Sequence, residues 1–213
     1  MRVLTVFVCL TAGCFAQKPQ PCTSPPLLTG SLSLGSADEK LGAYAKFNYD
    51  SLRERIRLSE FTSYKNKTFQ FDVLLLYKEG VMYEIDKTNQ ACTKKPLSVD
   101  FNPLAIPTNA SLLGPAMLGS SSGPGNGLLV NTWVGKLQIK KEMAKYVTAV
   151  TGIECIPVTT KFHTNTLGWV VTNFFNNVLG ITDPELLIPP PFCEDAQLEE
   201  DDERNAANFF SLF

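Results

Sequence analysis

The feature that most constrains the fold is an alternation of apolar and polar residues with a period of two. In segment 52–58 the basic side chains Arg53, Arg55 and Arg57 alternate with three apolar residues and Glu54. This pattern is typical of an antiparallel strand with one buried and one exposed face. We therefore predict that the three arginines form a solvated face, with an anionic headgroup site as the alternative.

Other segments extend the same pattern along the chain. Residues 69–77 begin as an alternating strand and become apolar on both faces, and residues 81–86 return after a Lys-Glu-Gly turn as the second arm of a hairpin. Further strands are predicted at 128–138, 146–150, 156–164 and 168–178, with a helix as the competing prediction for 140–145. The Gly-, Ser- and Pro-rich stretch 114–127 is predicted to be an exposed loop.

Eight or more antiparallel strands on one continuous chain predict a mostly β fold. Such strands form two stacked antiparallel sheets, as a sandwich or a curved half-barrel. Strands that are apolar on both faces either lie centrally in the sheet or line an internal apolar pocket, and a filled core is the alternative to that pocket.

The first sixteen residues resemble a secretory signal peptide. Arg2 precedes a short apolar run, and Ala16 provides a small residue at a cleavage point. No later segment reaches membrane-spanning length without interruption. We predict a signal peptide at 1–16, a single β domain at 17–193 and a mobile acidic tail at 194–213, where seven of the first ten residues are acidic.

The cysteines and the sequons agree with export. Removal of the signal peptide leaves Cys22, Cys92, Cys155 and Cys193, an even and widely spaced set that suits two disulfides in an oxidising compartment. Four cysteines allow three pairings, and spacing alone does not choose among them. The sequons at Asn66 and Asn109 lie in stretches predicted to be surface loops, where glycans attach.

Composition and motifs argue against several classes of function. A net charge of −2 lacks the basic excess of a nucleic-acid binder, and a single histidine excludes a multi-histidine metal site. Segment 119–123 matches G-x-S-x-G, but a nucleophile elbow needs a strand before it and a helix after it, and here Pro124 and Gly125 follow in a low-complexity stretch. The one histidine, His163, lies in a strand pattern, so we predict a noncatalytic protein.

Several segments, in this order, resemble the ependymin and ependymin-related family. The match covers nearly the whole mature chain, and the ordered set is far more specific than any one of its members. The segments are 21–22, 75–86, Cys92, 103–111, 133–135, 155–158, 174–175, 179–184 and 189–193.

The resemblance implies a secreted glycoprotein without known catalysis. Its two stacked sheets would resemble the bacterial lipoprotein-carrier fold, which encloses an apolar pocket. Members of the family are associated with calcium, dimerisation, cell–matrix contact and, for some relatives, lysosomal lipid binding. The family's disulfide pairing would join Cys22 to Cys155 and Cys92 to Cys193. The 114–127 stretch and the acidic tail depart from the family, and the calcium ligands are not placed.

Two functional hypotheses follow. The first is an apolar, lipid-like ligand held between the sheets of a secreted protein, with the lysosomal lumen as the alternative location. The second is a structural or adhesive extracellular protein that acts through calcium, glycans, a homodimer and matrix components, without a ligand in the pocket. The candidate pocket-lining residues are Leu74, Leu76, Val81, Tyr83, Trp133, Phe162, Trp169, Val171 and Phe174.

Overall fold

The computed structural model describes residues 18–36, 42–64, 67–139, 142–164 and 168–199. These residues form eleven β-strands and two short 3-10 helices, and none of their helices has the length and hydropathy that crossing a bilayer requires. The elements are β1 (Leu27–Ser36), β2 (Gly42–Asp50), β3 (Arg55–Tyr64), β4 (Lys67–Leu76), β5 (Val81–Asp86), β6 (Ala91–Pro96), β7 (Ser111–Gly119), β8 (Gly127–Ile139), β9 (Glu142–Thr151), β10 (Pro157–Thr164), β11 (Gly168–Leu179), η1 (Pro184–Leu187) and η2 (Pro191–Cys193).

All eleven strands belong to one open antiparallel sheet, with the order β6-β5-β4-β3-β2-β1-β11-β10-β9-β8-β7. The described chain enters near the middle at β1 and runs to one edge at β6. Residues 97–110, here called the crossing segment, lead to the opposite edge at β7, and the chain then returns to β11 beside β1. The predicted mostly β, half-barrel type of fold is confirmed, with one continuous sheet carrying the hydrogen bonds.

The hairpin predicted over 69–86 is present as β4 and β5. Leu76 pairs with Val81 at its closed end, and the turn between them contains Gly80 at φ +64°. Glycine adopts this left-handed backbone without the steric cost that a Cβ would add. Alternation in the sequence therefore identified both the strands and the point at which the chain reverses.

One local prediction is wrong, and one competing alternative does not form. A helix does not form at the start of β9, because the backbone from Glu142 onward pairs with β8. The predicted loop 114–127 is an extended strand as far as Gly119, and only the remainder is a turn. The pairing of Leu118 with Leu128 explains this difference, because ladder hydrogen bonds override the turn-like composition of β7.

The two faces of the sheet have different covers. The inner face carries Leu32, Phe47 and Phe174, and side chains of the crossing segment pack against it. The outer face of β4 and β5 carries Leu74 and Tyr83, and residues 181–199, here called the C-terminal segment, pack against it. Each face therefore depends on an irregular segment for its cover.

Two disulfides fasten these covers. Cys22 is bonded to Cys155, with their Cα atoms 6.0 Å apart, and Cys92 to Cys193, with their Cα atoms 5.2 Å apart. The first disulfide links the segment before β1 to the turn after β9, and the second links β6 to η2. This is the pairing that the family resemblance implies.

Candidate functional site

The inner face contains a cavity of about 10 Å³ beneath the crossing segment. This volume is about that of one water-sized sphere, so the face is filled mainly by its own side chains. An apolar ligand would have to displace part of the cover. The cavity is lined by Leu32, Phe47, Tyr49, Ile56, Leu58, Leu104 and Phe174.

The crossing segment rests on this face through a few side chains. Phe101 stacks on Tyr49 with ring centroids 5.9 Å apart and meets Tyr77 edge-on at 5.2 Å. The backbone N–H of Leu104 donates to Tyr49 Oη at 3.0 Å. The backbone at Leu104 and Ile106 bonds to residues 22–24 rather than to the strands below. The cover is thus held on the inner face by aromatic packing and one tyrosine hydroxyl.

The structure does not bring the nine predicted lining residues together. Phe174 lines the cavity, whereas Trp133 and Phe162 lie on the inner face in two separate clusters. The other six lie on the outer face: Leu74, Leu76, Val81 and Tyr83 beneath or beside the C-terminal segment, and Trp169 and Val171 on the uncovered part.

The predicted lining residues divide between the two faces because successive side chains of a strand point to opposite sides of the sheet. Val171 and Phe174 are an odd number of positions apart, so they must point to opposite sides of the sheet. The alternation of apolar residues in β2 could have identified Phe47 and Tyr49. Leu104 is enclosed by prolines in an irregular segment, and no periodic signal identifies it.

Four buried polar atoms on this side of the sheet have no hydrogen-bond partner among the described residues. They are Tyr77 Oη, Trp133 Nε1, Tyr146 Oη and Asn177 Oδ1. Burial raises the pKa of Tyr77 to about 12 and also raises the pKa of Tyr146, so both hydroxyls are neutral hydrogen-bonding groups. Because buried polar groups are normally hydrogen-bonded, these atoms indicate positions where a water or a ligand belongs.

The outer face of β3 corrects the prediction of a solvated arginine row. Arg53 is exposed, but Arg57 is buried and forms a two-pronged ion pair with Asp72, at 2.7 and 2.9 Å. Arg57 also donates to the carbonyl of Leu186 at 2.9 Å, and Arg55 donates to the carbonyl of Leu187 at 3.0 Å. These arginines hold the C-terminal segment and are not free to bind a headgroup.

These ion pairs change the pKa values of two aspartates. Burial by itself would raise the pKa of Asp72, but hydrogen bonds and charges from Arg57 and Lys87 outweigh it and lower that pKa. Asp50, which pairs with Arg55 at 2.7 Å, also has a lowered pKa for the same combination of reasons. Both carboxylates therefore carry their charge near neutral pH.

Ser121, the serine of the G-x-S-x-G motif, lies far from His163, the one histidine. Ser121 is in the turn between β7 and β8. His163 of β10 pairs with Lys145 of β9, which pairs with Lys136 of β8, so His163 lies level with Lys136 in the sheet. The length of β8 from Gly127 to Lys136 corresponds to about 30 Å at about 3.3 Å per residue. His163 instead packs edge-on against Trp169, with centroids 5.1 Å apart.

The calcium site that the resemblance implies stays a prediction in the part of the chain that the structure describes. No three or more His, Cys, Asp or Glu side chains there come together in a metal-binding group, whereas calcium prefers several oxygen ligands. Most of the predicted acidic tail, from residue 200, lies outside the described residues, as do the predicted signal peptide and Asn66. Asn109 is exposed, and Leu198 pairs with Lys94, so ordered contacts continue beyond residue 193.

These features define a class of protein: an open antiparallel half-barrel, cross-linked by two disulfides, with an apolar inner face. An uncharacterized conserved protein from Thermus thermophilus has a similar fold, with a TM-score of 0.50 and 8% identity, over 94% of this chain and 100% of that chain. A model of the ependymin family matches residues 65–193. The chain belongs to the ependymin family.

Individual relatives cover nearly the whole chain. Ependymin-2 of Carassius auratus is 34% identical over 209 residues, which are 98% of this chain and 95% of the relative. Ependymin-1 of Oncorhynchus mykiss is 35% identical over 100% of this chain and 96% of its own. Mammalian ependymin-related protein 1 of Rattus norvegicus is 32% identical over 85% of this chain and 80% of its own.

Proposed function

We propose that this protein is a secreted, noncatalytic glycoprotein that binds one apolar, lipid-like ligand between the inner face and the crossing segment. The observation that carries this proposal is the cavity between the aliphatic and aromatic side chains of the inner face and the side chain of Leu104. A ligand enters by displacing Leu104 and Phe101, whose backbone is not part of the ladder beneath them.

The energetics favour such an exchange. An alkyl chain that buries roughly 300 Å² gains about 7 kcal/mol at about 25 cal/mol per Å². Displacing Leu104 and Phe101 exposes apolar area as well, so the net affinity depends on how far the crossing segment covers the ligand. Few polar groups are needed, which is typical of lipid and cofactor pockets.

Secretion is supported by the chemistry of the chain. Two disulfides form and persist in an oxidising compartment, and the Asn109 sequon is on the surface where a glycan can attach. The lysosomal lumen is reached by the same route and is the alternative location.

Native mass spectrometry of the secreted, deglycosylated protein tests the proposal directly. We expect a bound lipid, and we expect Leu104→Trp, which fills the cavity, to weaken binding of radiolabelled 1-oleoylglycerol at least tenfold. Leu113→Trp is the matched control. Leu113 is 69% exposed on β7, so this substitution should leave binding unchanged. Absence of both a co-purified lipid and probe binding would contradict the proposal.

A second candidate, a homodimer, rests on the sheet edge at β7. Within the described part of the chain this strand pairs only with β8, and exposed apolar side chains surround it. An unpaired edge offers backbone groups to a second copy, and isologous pairing satisfies both copies at once. The apolar side chains are Leu113, Met117, Leu118, Leu128 and Leu129.

Replacing Leu118 by lysine should weaken this dimer at least tenfold, because the substitution adds like charges across the two-fold interface. Light scattering during size-exclusion chromatography measures the change, and Leu198→Lys, an exposed leucine on the C-terminal segment, is the control. A dimer that survives Leu118→Lys uses another surface. A dimer that dissociates on chelation of calcium favours the adhesive function.

A further inference from the structure

We propose that Trp133 Nε1 and Tyr146 Oη form a polar subsite that donates hydrogen bonds to an uncharged carbonyl oxygen of the bound ligand. This inference rests on the proposed function, and it adds the chemical class of the ligand: an apolar molecule that carries an ester or amide carbonyl.

The ladder places the two residues on neighbouring strands of the inner face. Trp133 pairs with Thr148, and Gly135 pairs with Tyr146, so the two aromatic residues are diagonal neighbours on β8 and β9. Diagonal neighbours in a ladder lie about 7–8 Å apart, within reach of aromatic side chains. Both clusters also contact Ala110, at the end of the crossing segment.

Gly135 gives the tyrosine its position. A Cβ placed on Gly135 would lie 2.5 Å from Tyr146 Oη, so the hydroxyl lies directly over the glycine and reaches toward β8. Any larger residue at 135 would push the hydroxyl away from the strand that carries Trp133. The absence of a side chain at this position is therefore part of the subsite.

Both polar atoms are buried and lack a partner within the described ranges of the chain. Trp133 is 2% exposed and Tyr146 is 3% exposed, and neither Nε1 nor Oη makes a hydrogen bond there. The neighbouring hydroxyls of Thr148 and Thr160 are already bonded to each other at 2.8 Å. An unpaired buried donor destabilises the protein, so a ligand that pairs with these atoms recovers that free energy on binding.

The donor chemistry defines the ligand group. An indole N–H only donates, and a tyrosine hydroxyl can donate, so a ligand acceptor oxygen that lies between the two would satisfy both. The lysines of these strands, Lys136, Lys145 and Lys161, alternate onto the outer face and supply no cation to the subsite. A buried carboxylate would remain without a counter-charge, which is costly, whereas a neutral carbonyl needs none.

A matched pair of probes tests the subsite. 1-Oleoylglycerol carries an ester carbonyl, and 1-O-oleylglycerol replaces that ester by an ether of similar length. We expect the full protein to bind the ester about fivefold to tenfold more tightly, in line with one buried hydrogen bond. Tyr146→Phe and Trp133→Phe should each reduce this preference and leave ether binding unchanged, whereas Trp169→Phe, on the outer face, should retain it.

A spectroscopic readout separates recognition from general packing. The infrared band of a ¹³C-labelled ester carbonyl should move to lower frequency on binding and move back in Tyr146→Phe. Equal affinity for the two probes, with no effect of either variant, overturns the subsite and leaves the lipid-binding proposal intact, because buried water then satisfies the two donors. If neither probe binds, both proposals are wrong.

Discussion

Replacing Arg57 by methionine is expected to lower the free energy of unfolding by about 3–5 kcal/mol. The substitution leaves Asp72 buried and charged, with Lys87, which is 57% exposed, at 3.0 Å as its remaining cation. It also removes the donor to the carbonyl of Leu186, which holds the C-terminal segment on the outer face. Urea denaturation followed by tryptophan fluorescence measures the loss.

Arg53→Met is the matched control, because the same change is made on an exposed side chain of the same predicted row. Its effect should be within about 0.5 kcal/mol of the parent protein. The double variant Arg57→Met/Asp72→Leu should recover part of the loss, since replacing both partners of a buried pair is far less costly than orphaning one. If Arg57→Met behaves like Arg53→Met, the buried pair does not stabilise the fold.

The pH dependence of the same difference provides an independent check. Because the pKa of Asp72 is lower in the folded protein than in the unfolded chain, its stabilising contribution is present above the unfolded value of about 3.9 and is lost as the pH falls through the folded value. The difference in unfolding free energy between the parent and Arg57→Met should therefore be constant near neutral pH and shrink below about pH 4.

Removing the second disulfide should have an effect of similar size. The double variant Cys92→Ala/Cys193→Ala opens a loop with a sequence separation of 101 residues, which corresponds to about 4–5 kcal/mol in the chain-entropy model. The bond joins β6 to η2, close to the two carbonyls that Arg55 and Arg57 hold. Its loss should therefore release the cover of Leu74 and Tyr83.

The other disulfide provides the comparison. Cys22→Ala/Cys155→Ala opens a loop with a separation of 133 residues and should lower the unfolding free energy by a similar amount. Hydrogen exchange distinguishes the two variants: amides in 184–193 should exchange faster only when Cys92 and Cys193 are replaced. Equal protection of these amides in both variants would show that the arginines alone hold the C-terminal segment.

Local pattern predicted seven of the eleven strands of the described chain, β3 to β5 and β8 to β11, but not β1, β2, β6 and β7, and not what covers the sheet. Alternation correctly placed Arg55 and Arg57 on one face of β3, yet it carried no information about the C-terminal segment, which lies about 130 positions later in the chain. The same limit applies to the inner face. Phe47 and Phe174 meet edge-on across the sheet, and only the order of strands brings them together.

The candidate site shows a second limit. Trp133 and Phe174 were selected because they are large and apolar, and both lie on the inner face. Val81 and Tyr83 were selected for the same reason and lie on the other side, because the covering role of η1 and η2 is invisible in their own strand. Unpartnered polar atoms, such as Tyr146 Oη, are a property of three-dimensional packing and have no local signature.

The pairing of β1 with β11 also sets the order of assembly. Strands β1 to β6 pair with their sequence neighbours, and so do β7 to β11, but the contact of Leu32 with Phe174 needs both meanders. Pairing between such distant segments is slow. Cys155 and Cys193 both follow the crossing segment, so neither native disulfide can close on the first meander alone. Oxidation to the native pairing is therefore expected to require chain from both sides of the crossing segment.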